Sequence, residues 1–208
     1  MKIAVITGLR GSGKTSIINF LSEKIMHEQK KRVGVVLNDQ GEEQLKEGIY
    51  KRCIPQESLS TLALLPESNL FQNILLDICH NEYLDFLFIE PSGIARSWFV
   101  KRDSDIVETA SNLKFTHAPI INMVDPTQID LLFKAMGRLL QNGIAESDYI
   151  AINKIDIALE EMIEKTEKII WKLKPDAPLF YVSTKTHEGL DEISGVIVED
   201  ETKRYENW

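Results

Sequence analysis

The octapeptide Gly8-Leu9-Arg10-Gly11-Ser12-Gly13-Lys14-Thr15 joins three glycines, a lysine and two hydroxyls in one short stretch. Glycines at 8, 11 and 13 let the backbone turn so that successive N–H groups converge, and converging amides at a helix start form a cradle for an anion. The spacing fits G-x-x-x-x-G-K-[ST], in which Lys14 reaches the β- and γ-phosphates of a nucleotide and the Thr15 hydroxyl serves Mg²⁺. Ser12 and Ser16 complete the expected contact set of this loop, whereas Arg10 is expected to face solvent.

Two further clusters name the base. Asn153-Lys154-Ile155-Asp156 fits N-K-x-D, and Ser183-Thr184-Lys185-Thr186 closes a second apolar run. A carboxylate at Asp156 accepts from the guanine N1–H and exocyclic amine together, where adenine would present a lone pair. The expected ligand is therefore GTP or GDP. Lys154 is expected to lay its stem over the base, Asn153 to brace the loops, and the Ser183-Thr184-Lys185 loop to offer backbone N–H to the guanine oxygen.

Mg²⁺ needs oxygen ligands beside the phosphates. The run "DFLFIE" ends on Glu90, and "VVLND" delivers Asp39 in the same way, so Thr15, Asp39 and Glu90 form the expected magnesium set. With Lys14 they are also the expected catalytic residues. Asp39 and Glu42 are the candidates for orienting an attacking water. Gly41 and Gly93 permit loop movement, as a γ-phosphate switch requires.

These residues need a scaffold that brings distant strand ends together. Ile- and Val-rich runs recur as "KIAVIT", "VGVVLN", "DFLFIE", "PIINMV", "YIAIN" and "LFYVS", each followed by a stretch of helical spacing. That alternation predicts an α/β fold: a doubly wound, mainly parallel sheet with helices on both faces and ligands at the carboxyl ends of the strands. Ile129, Leu132, Phe133, Met136, Leu139 and Leu140 mark one helix face, and Leu159, Met162, Ile163, Ile169, Ile170 and Leu173 another; both are expected to be core. One domain is expected over residues 1–198, with a polar tail over 199–208.

Composition narrows the function. Charged residues make up 27% of the chain with a net charge of -8 and no long basic run, which argues against nucleic-acid binding. The start is too short in apolar residues for a signal peptide, and no apolar run approaches spanning length, so a cytoplasmic protein off the membrane is expected. Cys53 and Cys79 form no C-x-x-C pair, which argues against a disulfide framework or zinc cage. Cys79 falls on an apolar helical face with Ile74, Leu75 and Ile78. Trp98 and Phe99 follow the Glu90 loop, either as a docking surface or as packing against a neighbouring helix.

In order, "GLRGSGKTS", "NDQGEE", "FLFIEPSGIA", "NMVDP", "NKID" and "STKTHEGL" resemble the motifs of the SIMIBI-class metallochaperone GTPases, the CobW, HypB and UreG group. The resemblance runs from residue 2 to about residue 195. It implies a P-loop GTPase of low intrinsic rate, working as a nucleotide- or metal-dependent homodimer. Such a protein helps assemble a metal or corrinoid centre in a client, with Ni²⁺, Co²⁺ or Zn²⁺ as cargo. The pattern departs from the family in places. The C-x-C-C motif of CobW-like proteins is reduced to Cys53 in "KRCIPQ", the urease-type Cys-Pro-His is absent, and His27, His80, His117 and His187 are scattered rather than clustered. CobW-like proteins continue into a second domain, for which 208 residues leave no room.

Cys53 therefore carries two readings: a ligand to a transition metal shared across a symmetric dimer, or a lone thiol in a loop. Function does too. A hydrolysing switch is the first expectation; a nucleotide-gated interaction protein that regulates a client without turnover is the alternative, and a small-molecule kinase stands third.

Overall fold

A computed structural model describes residues 1–37, 44–53, 69–91 and 97–198. Among these, eight strands form one parallel sheet: β1 (Lys2–Gly8), β2 (Val33–Leu37), β3 (Tyr50–Cys53), β4 (Phe86–Glu90), β5 (Thr116–His117), β6 (Ile121–Val124), β7 (Tyr149–Ile152) and β8 (Leu179–Tyr181). The order is β3-β2-β4-β1-β6-β7-β8, with β5 pairing the start of β1. Six helices accompany it: α1 (Lys14–Gln29), α2 (Leu70–Asn81), α3 (Trp98–Ala110), α4 (Ile129–Glu146), α5 (Glu160–Leu173) and α6 (Leu190–Val198). The expected α/β doubly wound architecture is the one observed.

Strand periodicity explains the two layers. Ala4 and Ile6 of β1 face one side, where Ile17, Ile18, Leu21 and Ile25 of α1 meet Leu190, Ile193 and Ile197 of α6. Ile3 and Val5 face the other, against Phe71, Ile74, Leu75 and Ile78 of α2 and Val100 and Val107 of α3. A third apolar cluster seats α4 and α5 on β6 and β7 through Ile129, Leu140, Ile144, Ile150, Ile152 and Ile170. Truncating any one of these buried isoleucines to alanine costs about 2–5 kcal/mol.

β1 is central: the chain leaves it for β2 and the edge strand β3, returns to β4 at its side, and then builds the other half through β6, β7 and β8. The residues that follow β1, β4, β6, β7 and β8 therefore emerge along one rim. Asp39, Glu42, Gly41 and Gly93, and the tail expected over 199–208, lie outside the described residues.

Two strands escape the sequence pattern. β3 reads "YKRC" and is half-exposed at the sheet edge, and β5 has only two residues. One core expectation is corrected. Phe133 and Met136 are 40% and 46% exposed, because the backbone leaves helical geometry at Met136 (φ -137°, ψ 31°), so the two halves of α4 do not continue one face. Leu159 is exposed as well; it precedes α5 in extended conformation. Among the described residues, no helix is long and apolar enough to cross a membrane.

Candidate nucleotide site

The loop after β1 is built by its glycines. Gly13 has φ +98°, and a Cβ there would lie 2.1 Å from the Asn153 side-chain nitrogen; Gly8 has φ +139°, and its Cβ would lie 2.4 Å from the Met123 carbonyl oxygen. A side chain at either position would collide with the neighbouring strand end. Gly13 caps α1 with no side-chain hydrogen bond and no acid in the first turn. The dipole of α1 favours an anion at this end. Ser12 Oγ is buried and has no hydrogen-bond partner among the described residues. Arg10 is exposed, as expected.

Lys14, Thr15 and Glu90 converge beside this loop. The Lys14 ammonium donates to the Leu9 carbonyl at 3.2 Å and lies 3.8 Å from Glu90 Oε1. Thr15 Oγ1 donates to Glu90 Oε2 at 2.9 Å. Glu90 is only 4% exposed, and a carboxylate buried to that degree needs the charge and the donor it finds here. The hydroxyl and carboxylate supply hard oxygen atoms within reach of one ion, a donor set that fits Mg²⁺. When bound, Mg²⁺ would neutralise phosphate charge next to the Lys14 ammonium.

The base end is assembled by Asn153, which is fully buried. Its Nδ2 donates to the Ser12 carbonyl at 2.8 Å and to Thr184 Oγ1 at 3.3 Å, and its Oδ1 accepts from the Thr184 N–H at 3.0 Å. One side chain thereby ties the phosphate loop, the end of β7 and the loop after β8 together. Asp156 Oδ1 accepts from Ser183 Oγ at 2.7 Å, so the acid expected to read the base is held by the adjoining loop. That same Ser183 Oγ accepts from the Lys185 and Thr186 N–H groups, at 3.3 and 3.1 Å, and shapes the turn.

Sequence reasoning missed Asp125 as a site residue. It follows β6 directly, is 2% exposed, and its Oδ2 accepts from the Lys154 ammonium at 2.6 Å. The available signal was an apolar strand ending on an acid in "NMVDP", the pattern that marked Glu90.

Of the two thiols, Cys53 reaches the same carboxyl rim, two strands from Glu90. Cys53 ends β3, in register with Leu37, and is half-buried. Cys79 is also half-buried, and burial pushes its thiol above the usual range, partly offset by the chain's N-terminal ammonium. Among the described residues, no three or more His, Cys, Asp or Glu side chains gather into a metal-holding group. Phe99 is buried edge-on against Phe71, while Trp98 is partly exposed beneath the Arg102 guanidinium. The packing reading holds for Phe99, while Trp98 is not buried against the neighbouring helix.

A doubly wound parallel sheet with a glycine-rich loop running from its central strand into α1 defines a P-loop nucleotide-binding protein. The chain belongs to the CobW/HypB/UreG family, whose nucleotide-binding domain matches residues 2–181. It is 26% identical to the urease accessory protein UreG of Metallosphaera sedula over 211 residues, covering 94% of this chain and 92% of that protein. Among solved structures it is similar to the hydrogenase maturation factor HypB from Archaeoglobus fulgidus, with TM-score 0.62, 20% identity, and 93% and 87% of the two chains covered. HypB from Helicobacter pylori in complex with nickel gives TM-score 0.64 and 19% identity, over 98% of this chain and 88% of that one. At such identities the structures speak for the fold; family membership supports a GTP-binding, metallochaperone-type role in general.

Proposed function

We propose that the protein is a Mg²⁺-dependent GTPase of low intrinsic rate that uses nucleotide state to drive assembly of a metal or corrinoid centre in a client protein, acting in the cytoplasm as a homodimer. The observation that carries the reading is the Asn153 brace. It joins the phosphate loop to the N-K-x-D segment and the Ser183 loop, so that phosphate and guanine contacts belong to one preorganised unit.

In the proposed reaction a water oxygen attacks the γ-phosphorus and the bond to the β–γ bridging oxygen breaks, giving GDP and phosphate. Lys14 and the loop amides stabilise charge that develops on the phosphoryl oxygens. Glu90 fixes the Thr15 hydroxyl. Asp156 and the Ser183-Thr184-Lys185 loop hold the base. Asp39 is assigned to the magnesium set, and Asp39 or Glu42 to water orientation, on the sequence pattern alone.

Cargo is assigned by comparison. One similar structure is described with nickel and another relative is named a urease accessory protein. Ni²⁺, Co²⁺ or Zn²⁺ is the proposed class, with Cys53 from each protomer as the proposed soft ligand.

Calorimetric titration with GDP and ADP, then of the GDP complex with Ni²⁺, Co²⁺ and Zn²⁺, compares the native protein with Cys53→Ala. Selective GDP binding with Cys53-dependent metal uptake supports a chaperone that carries its own cargo. Equal binding of ADP would sink the guanine assignment, and metal uptake unchanged in Cys53→Ala would sink the cysteine site.

A further inference from the structure

Lys154 is pinned at both ends. Its backbone sits in the left-handed region at φ +64°, a costly place for a residue with a side chain, and its carbonyl accepts from the N–H groups of Ile157 and Ala158 at 3.1 and 3.0 Å. Its ammonium donates to Asp125 Oδ2 at 2.6 Å. The lysine side chain remains 29% exposed, while that of Asp125 is 2% exposed. The aliphatic stem spans the two anchors.

Asp125 divides its oxygens between two tasks. Oδ1 accepts from the Thr127 N–H at 2.9 Å and from Thr127 Oγ1 at 2.7 Å, capping the 3-10 turn Pro126–Gln128 that leads into α4. Oδ2 serves Lys154. A turn cap needs only one of these oxygens, so the second contact calls for a separate reason.

We propose that Asp125 is a positioning residue of the purine site, clamping the Lys154 ammonium so that the lysine stem lies ready as an apolar platform for the face of the base. This rests on the guanine-nucleotide reading and deepens it. A free lysine loses rotamer freedom when a ligand packs on its stem, whereas a clamped one has lost it already in folding. Because the stem meets the ring face rather than its edge, the clamp serves any purine held there and leaves edge recognition to Asp156.

Calorimetric titrations of the full chain with GDP, IDP and ADP test this in the native protein, Asp125→Asn, Lys154→Met, Lys154→Arg and the double variant Asp125→Asn with Lys154→Met. Asn retains an acceptor for Thr127, so its melting temperature without nucleotide should match the native value. Its affinities for GDP and IDP should both fall by one common factor, on the order of tenfold. In the Lys154→Met background the same change should matter less than about twofold. Equal loss in both backgrounds, or Lys154→Met binding GDP as tightly as the native chain, overturns the proposal.

Should Asp125→Asn fail to fold, the lysine variants decide. Arg can still reach Asp125 and should retain affinity within about threefold, while Met, with a stem but no charge, should lose about tenfold. Equal affinities for Arg and Met overturn the clamp. Native protein that binds ADP as well as GDP sinks the guanine reading instead, and the variant comparison, made with either nucleotide, still judges Asp125.

Discussion

Asn153 Nδ2 donates to the carbonyl of Ser12 at 2.8 Å across 141 residues of sequence. It fits there because Gly13 has no side chain in the way. Two distant loops thus depend on one buried amide. Asn153→Ala removes three hydrogen bonds and strands a buried loop carbonyl, and should cost about 2 kcal/mol of stability and lower the melting temperature by roughly 5 °C. GDP affinity should fall with it, because phosphate and base contacts lose their common brace. Thermal unfolding and titration read the two effects; an unchanged melting temperature would remove the brace from the account.

Glu90 is the residue proposed to govern the metal end. Glu90→Gln keeps an acceptor for Thr15 but removes the charge that faces Lys14 and a bound cation. Nucleotide affinity in the native protein should rise on adding Mg²⁺ to a chelator-treated sample. In Glu90→Gln that gain should shrink by about tenfold or more, with GTP turnover falling too. An identical magnesium dependence in the two proteins would take Glu90 out of the ion's surroundings.

The placement of the phosphate loop, Asn153 and Asp156 was legible because fixed spacings set them at strand ends. The clustering of Lys14, Thr15 and Glu90 was legible for the same reason, since β1 and β4 are neighbours in a doubly wound sheet. Asp125 was not, because its role depends on a side-chain contact with Lys154 that no local pattern encodes. The α4 stripe misled in the opposite sense: Phe133 and Met136 have the right period, but the period holds only while the helix does, and the backbone breaks at Met136. The edge strand β3 is half-polar and β5 is too short to show a period.

The choice between guanine and xanthine should follow Asp156. An asparagine there offers one donor and one acceptor, which suits xanthine, whose ring carries a carbonyl where guanine carries an amine. Asp156→Asn should weaken GDP binding roughly a hundredfold or more and improve binding of XDP, with ADP unaffected. Competition titrations give the ratio directly. GDP preference retained in Asp156→Asn would refute the base assignment.

His117 gives the fold a pH dependence away from the nucleotide rim. It lies on β5, and its Nε2 is 3.0 Å from Ser104 Oγ of α3. Burial lowers its pKa below the ordinary 6.5; Lys101 pushes the same way, while Asp105 and Glu108 pull back. Above pH 6.5 the imidazole is neutral in both folded and unfolded chains, and the stability is fully present. As pH falls below 6.5 the unfolded chain takes the proton first, so stability is lost progressively until the folded pKa is also passed. Urea midpoints should therefore decline through this window in the native protein and decline less in His117→Gln, whose amide can still bond Ser104. NMR titration of the ring protons should place the folded midpoint below 6.5. A midpoint at or above that value, or the same acid slope in His117→Gln, would show that burial does not control this residue.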